Sequence, residues 1–389
     1  MAATSPVKGF HEPRGRILRI DPLLLFASVA LIGVSVYLVG TATRDDSGYY
    51  FVYRQAAYGG VGILLMLLLS RFDYSRLREW KGGLYTLMIG AILVVYVVGV
   101  SARGSRRAIE LGFMNFQSSE LGKVLLILAL GAFMVDRVRR LDDTETTSRI
   151  MLLALVPSIL VIAQPDLGSG LVYIAIAVAI LFVAGTKWTH FAALGAIGTA
   201  AVALVLVAAP AVGVEVLKPY QVDRLTAFLH PTDNPREQGY QINQSLTAVG
   251  SGGKTGRGDE ATQTRLDFLP EHHTDFIFSV LGEEFGFVGA ALVLSLFALL
   301  IWRSLRILTM SKNLYGALIA GGITAMLMFQ IFVNVGMTIG IMPITGVPLP
   351  LLSYGGSSVL VTFMALGLLQ SIHAQAREVA AAKGLNRDL

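Results

Sequence analysis

The chain has 389 residues, 54% of them hydrophobic and 15% charged, with a mean hydropathy of +0.64 and a formal charge of +5. That composition excludes a water-soluble enzyme, and the modest charge calls for no nucleic-acid partner. The sequence has no cysteine, so disulfides are excluded as well. Apolar runs near or above ~18 residues recur along the whole length, each long enough to cross a hydrocarbon layer as a helix. Only helices and closed barrels satisfy the backbone in lipid. The alternation of barrel strands is missing, so the expected fold is an all-α integral membrane protein.

In chain order, residues 1–21 form a polar, basic tail with no signal-peptide pattern, so the first apolar run is expected to be a permanent anchor. In it, "RGRILRI" is either a short amphipathic stretch on the membrane surface or a tail with topogenic charge. Ten spans are expected, at 22–41, 55–71, 82–101, 118–135, 150–164, 168–186, 189–213, 275–302, 315–340 and 351–372. They make one polytopic domain, 22–372, followed by a tail, 373–389. An even number of spans puts both termini on one side. Lys8, Arg14, Arg16, Arg19, Arg71, Arg76, Arg78, Lys81, Arg137, Arg139, Arg140, Arg149, Lys187, Arg303, Arg306, Lys312 and Arg377 all fall on that side. By the positive-inside rule it is cytoplasmic.

One connection is long, about 214–274, on the outer face. Tyr240, Ile242, Leu246 and Val249 are near helical spacing, which predicts a helix along the bilayer, followed by a flexible strip, "GSGGKTGRG". "AVGSGGKT" nearly fits a phosphate loop, but it lacks the preceding buried strand and the first glycine, so ATP binding is not expected.

Four segments carry chemistry. In "GSRRAIELGFMNFQSSELGK", Glu120 and Lys123 share one helical face, and Arg107 lies nearby. They read either as an ion pair closing the bundle or as a polar wall for an anionic ligand. In "QPDLGSG", Asp166 is placed to cap the following helix. "PITGVPLPLLSYGGSS" breaks the apolar pattern and puts Ser353, Tyr354, Gly355 and Ser357 at a helix N-terminus, which suits either an anion or close helix packing. In "LPEHHTDFIFSVLGEEFG", Asp275 stands at the threshold of the eighth span as either an N-cap or a reactive carboxylate, with Glu283 and Glu284 inside the span. His272 and His273 lack the partners of a structural zinc site.

These segments, in this order, resemble the SEDS family of shape, elongation, division and sporulation proteins, which includes RodA, FtsW and SpoVE. "DRLTAFLHPTDNPREQGYQINQS" and "TRLDFLPEHHTDFIF" look nearer to the RodA branch. The chain departs from the family where Ala108 follows Arg107, in place of Trp, and where Ser118 stands in place of Pro.

The resemblance implies a peptidoglycan glycosyltransferase of the bacterial cytoplasmic membrane that polymerises lipid II during elongation and shape maintenance. It implies Asp275 as general base, with Arg107, Glu120, Lys123, Arg224, Ser353, Tyr354, Gly355 and Ser357 on the substrate and Asp166, Glu283 and Glu284 in support. It also implies a divalent cation, Mg or Mn, and partners in a class B penicillin-binding protein and other membrane proteins of the elongation complex. A lipid II flippase and a non-catalytic scaffold for a transpeptidase are the competing readings.

Overall fold

The computed structural model describes residues 20–43, 49–102, 105–110, 112–205, 238–265, 268–270 and 272–382. The basic segment 14–19, Arg224 and most of the first half of the long loop lie outside the described residues. Long apolar helices dominate: α1 (Pro22–Ala42), α2 (Tyr50–Ser70), α3 (Lys81–Val98), α4 (Ser118–Val135), α5 (Thr144–Ala163), α6 (Leu167–Ala184) and α7 (Trp188–Ala203). After the loop come α8 (Gln238–Ser251), the single turn α9 (Thr262–Arg265), α10 (Ile277–Met310), α11 (Leu314–Thr338) and α12 (Gly356–Ala382). Among the described residues, nine helices are long and apolar enough to cross a membrane, and α7 is a shorter apolar helix matching the start of the expected seventh span.

The helices are sorted by burial. α4, α11 and α12 are enclosed by the others, whereas α3 and the far half of α10 turn apolar side chains outward, including Val97, Phe287 and Trp302. Large exposed apolar groups on a bundle exterior are what a lipid surround accepts. The N-terminal end of α1 and the C-terminal part of α12 lie at one face, because Asp21 caps α1 through Leu24 N at 2.9 Å while its own amide bonds to Gln370. Both ends of the bundle domain therefore emerge together.

Three features depart from the expectations. First, a three-stranded antiparallel sheet, β1 (Val100–Ala102), β2 (Ser105–Glu110) and β3 (Asn115–Gln117), follows α3 at the opposite face. Arg54 on α2 holds the β2–β3 connection through Phe113 O and Gly112 O, and Tyr58 donates to Phe113 O at 2.6 Å. Second, α8 is helical as expected but does not lie free along a bilayer. It packs on α10 and α11 through Gly239, Ile242, Ser245 and Ala248. Its Ser245 hydroxyl lies 2.6 Å from that of Ser279 and donates to Thr338 O at 2.8 Å.

Third, the eighth span is not continuous. α10 runs for 34 residues, about 51 Å at 1.5 Å per residue, which exceeds a ~30 Å hydrocarbon layer. It breaks at Gly286, whose backbone (φ 59°, ψ −156°) is accessible only to glycine. The glycine strip expected to be flexible packs against this break. Arg257 N donates to Glu283 O at 2.8 Å, Phe287 N to Gly253 O at 3.0 Å and Val288 N to Lys254 O at 3.1 Å. The approach is so close that a Cβ on Gly256 would lie 1.9 Å from Glu284 O. Residues 277–284 are buried in protein, and the outward apolar surface starts at Phe287. Glu283 and Glu284 thus sit on a protein-enclosed helix ahead of the lipid-facing one, and are not immersed in hydrocarbon.

Candidate active site

The face opposite the termini gathers the chemistry-bearing segments. Asp275 is half-buried, and the helix after it is capped at Phe276 without a side-chain bond, so Asp275 is not the N-cap that its position suggested. The "PLPLLSYGGSS" loop between α11 and α12 lies against the same segment. Ser353 Oγ donates to Thr274 O at 2.6 Å and accepts from Leu349 N at 2.8 Å; Tyr354 N donates to His273 O at 3.0 Å. The Tyr354 ring packs on Phe51, His273 and Tyr58. The ring nitrogens of His272 lie 2.9 Å from Leu269 O and 2.8 Å from Ala42 O, which joins the segment to the end of α1.

Ser357, Asp166, Glu120 and Lys123 form a second group that is continuous with the first. Ser357 Oγ donates to Asn115 O at 2.7 Å and accepts from Gln117 N at 3.0 Å, which fixes β3 to the start of α12. Gln117 Nε2 and Ser119 Oγ both donate to Asp166 Oδ2, at 3.0 and 2.9 Å, and Asp166 Oδ1 accepts from Ser169 N at 3.1 Å. The expected cap on α6 is present, and the same carboxylate also ties α6 to the start of α4. One turn along α4, Lys123 Nζ donates to Glu120 Oε1 at 2.6 Å, with the lysine 1% exposed. Arg107 lies on β2.

The hydroxyls of Ser353 and Ser357 are thus engaged by backbone, and the Gly355 amide faces Gln55 Oε1 at 3.4 Å. These residues build the site's walls. Glu283 works on a different segment. Its Oε1 accepts the amides of Thr262 and Gln263, at 2.8 and 2.9 Å, and so caps α9 from a distant helix. Glu284 is buried beside it on the same short helix.

Sequence reading missed Gln55, Ser35 and Asn334. Gln55 Nε2 donates to Ser35 Oγ at 2.7 Å and to Ser353 O at 3.2 Å, and Ser35 Oγ donates to Leu352 O at 2.6 Å. Each is a polar side chain in an apolar span, which is the available signal, because such groups face the bundle interior.

Similarity to known proteins bears directly on this site. Residues 17–378 match the family model described as "Cell cycle protein", that of FtsW, RodA and SpoVE. The chain belongs to the SEDS family. It is 34% identical to Stage V sporulation protein E of Bacillus subtilis, over 92% of this chain and 98% of that one. It is 36% identical to peptidoglycan glycosyltransferase MrdB of Escherichia coli K12, over 92% and 94%. Among solved structures, it resembles a chain of a peptidoglycan synthase complex that coordinates polymerization and crosslinking (TM-score 0.77, 32% identity, 92% of this chain and 98% of that one). It also resembles the rod shape determining protein RodA of Thermus thermophilus (TM-score 0.67, 30% identity, 92% and 98%). SEDS membership accounts for the multi-pass helical fold and for the order of the four motifs.

Proposed function

We propose that the protein is a peptidoglycan glycosyltransferase that polymerises lipid II into β-1,4-linked glycan strands, with Asp275 as its general base. The activity rests on SEDS relatives that carry that name and align over more than nine-tenths of this chain. The observation that carries the residue assignment is the meeting of the Asp275 segment with the α11–α12 loop and the end of α1, at the face away from the termini. Basic residues crowd the termini face, so the termini are cytoplasmic in this reading and Asp275 faces the side where the wall is built.

The reaction needs little from the protein beyond one proton acceptor and orientation. The acceptor sugar's 4-hydroxyl attacks the donor's anomeric carbon, its proton passes to the Asp275 carboxylate, and the bond from that carbon to the diphosphate oxygen breaks. A single displacement inverts the α-linked donor to a β product. Arg107 and Arg224 are the cations proposed for the diphosphate. Lys123, closed onto Glu120, contributes to the wall's charge balance.

A divalent cation fits this scheme as a companion of the diphosphate, since Mg2+ is commonly held by one or two carboxylates plus phosphates. Among the described residues no group of three His, Asp or Glu stands close enough to hold a metal ion. The proposed partner is a class B penicillin-binding protein, which would crosslink the strands, in a membrane complex serving elongation.

The test uses purified protein with lipid II and Mg2+ or Mn2+, with and without that partner, and resolves products by length. Glycan chains from wild type and none from an equally folded Asp275→Ala variant support the assignment. Equal chains from both move the base elsewhere; no chains from either return the flippase and scaffold readings.

A further inference from the structure

Three consecutive carbonyl groups lead into α10, and each receives a donor from the α11–α12 side. Tyr354 N donates to His273 O at 3.0 Å, Ser353 Oγ to Thr274 O at 2.6 Å and Asn334 Nδ2 to Asp275 O at 2.9 Å. The helical ladder begins only afterwards, with Ser279 N and Val280 N both bonding to Phe276 O. The main chain of Asp275 is therefore located by a side chain from another helix.

Asn334 is fully buried, and its amide also donates to Val347 O at 2.8 Å. With both hydrogens committed to carbonyls, the orientation of the amide is set. Its Oδ1 then points into the interior, where it has no hydrogen-bond partner among the described residues.

We propose that Asn334 is a positioning residue for Asp275. It acts through the Asp275 carbonyl and sets where the carboxylate stands relative to the attacking hydroxyl, without touching substrate. The proposal rests on the reading of Asp275 as general base. A misplacement of about 1 Å can reduce a rate roughly 100-fold. Because the amide contacts main chain and not the carboxylate, its loss lowers the plateau of the pH–rate profile and leaves the acid limb where it was.

The test is the lipid II polymerisation assay on the full chain, comparing wild type, Asn334→Ala, Ser353→Ala and Asp275→Ala. Each is also measured for thermal midpoint and for lipid II bound per protein. The expected result for Asn334→Ala is a kcat lower by about 100-fold, with KM, binding stoichiometry and acid limb unchanged and a lowered midpoint that still leaves the protein folded at the assay temperature, since two buried carbonyls lose their donor. A wild-type kcat in Asn334→Ala beside an inactive Asp275→Ala overturns the positioning role and leaves the base reading intact. A wild-type rate in Asp275→Ala overturns both. A fall in stoichiometry or midpoint that accounts for the lost rate makes Asn334 structural only and overturns the proposal. If Asn334→Ala does not fold, Ser353→Ala, which removes the neighbouring anchor at Thr274 together with the acceptor of the Leu349 amide, is judged by the same criteria.

Discussion

Asp21 and Gln370, 349 positions apart, exchange two hydrogen bonds: Asp21 N donates to Gln370 Oε1 at 2.7 Å, and Gln370 Nε2 donates to Asp21 O at 3.1 Å. The Asp21 carboxylate is fully buried and accepts from Arg303 Nε of α10 at 2.9 Å, with His373 Nδ1 3.8 Å away. Three helices, α1, α10 and α12, are therefore joined at the termini face by one residue, through its carboxylate to Arg303 and its main chain to Gln370. Arg303→Met leaves that carboxylate buried without its cation. Breaking such a pair costs about 3–5 kcal/mol. A clear fall in thermal midpoint in detergent is expected; an unchanged midpoint would show that the carboxylate has found water or another cation.

The Glu120–Lys123 pair should behave as a unit. Lys123→Met strands a carboxylate in the interior, and the same order of loss, about 3–5 kcal/mol, is expected. Adding Glu120→Gln removes the stranded charge and should restore most of the stability. Folded yield and midpoint of the two single variants and the double variant measure this. Equal losses in the single and double variants would mean that the pair's partners, and not its charge, hold the site.

Asp136, just beyond α4, gives a pH dependence with a definite sign. The hydrogen bonds from Lys81 and Arg78 hold its carboxyl below the ordinary value of 3.8. A depressed folded-state pKa means stabilisation that is present above the unfolded value and lost as pH falls through the folded one. All three side chains are about a third or more exposed, so solvent screening limits the effect to roughly 0.2–1 kcal/mol. The midpoint difference between wild type and Asp136→Asn should therefore be small at neutral pH and disappear as the pH falls through the carboxyl's lowered folded-state value. A difference that grows on acidification would contradict it.

Gly286→Ala tests the break in α10. A Cβ there would lie 2.4 Å from Gly256 N, in a backbone conformation other residues avoid at a cost of about 1–3 kcal/mol. The loop packed on the break should loosen first. Trypsin cleavage after the exposed Lys254 and Arg257 should accelerate before the spans unfold. Unchanged cleavage would place the strain elsewhere.

The spans were legible because a long apolar run in lipid has one solution. The order of the motifs gave the SEDS family, and Asp166 was legible as a cap from local spacing alone. What could not be read depends on partners distant in sequence. β1 and β3 have three residues each and no alternation; β3 forms where Arg54 and Tyr58 hold the β2–β3 turn and Ser357 holds the strand. For α8, the spacing of Tyr240, Ile242, Leu246 and Val249 pointed to a helix along the bilayer, but the Ser245–Ser279 contact and the approach of Val249 to Gly282 dock it on α10 instead. Gly286 is one of 41 glycines, and only the loop folded onto it marks it as a break. Gln55 and Asn334 are visible as amides in apolar spans, yet the carbonyls they hold belong to segments far along the chain.

The burial of α12 among helices made long before it imposes an order on biosynthesis. Asp21 and Gln55 enter the bilayer early, but their partners Gln370 and Ser353 leave the ribosome some 300 residues later. Until then the early helices carry polar groups that lipid cannot satisfy, a state open to misassembly or to capture by a chaperone or insertase. Completion of the bundle waits on α12, so a nonsense codon or a stall within it should remove the protein by quality control, even with Asp275 and its loop already made.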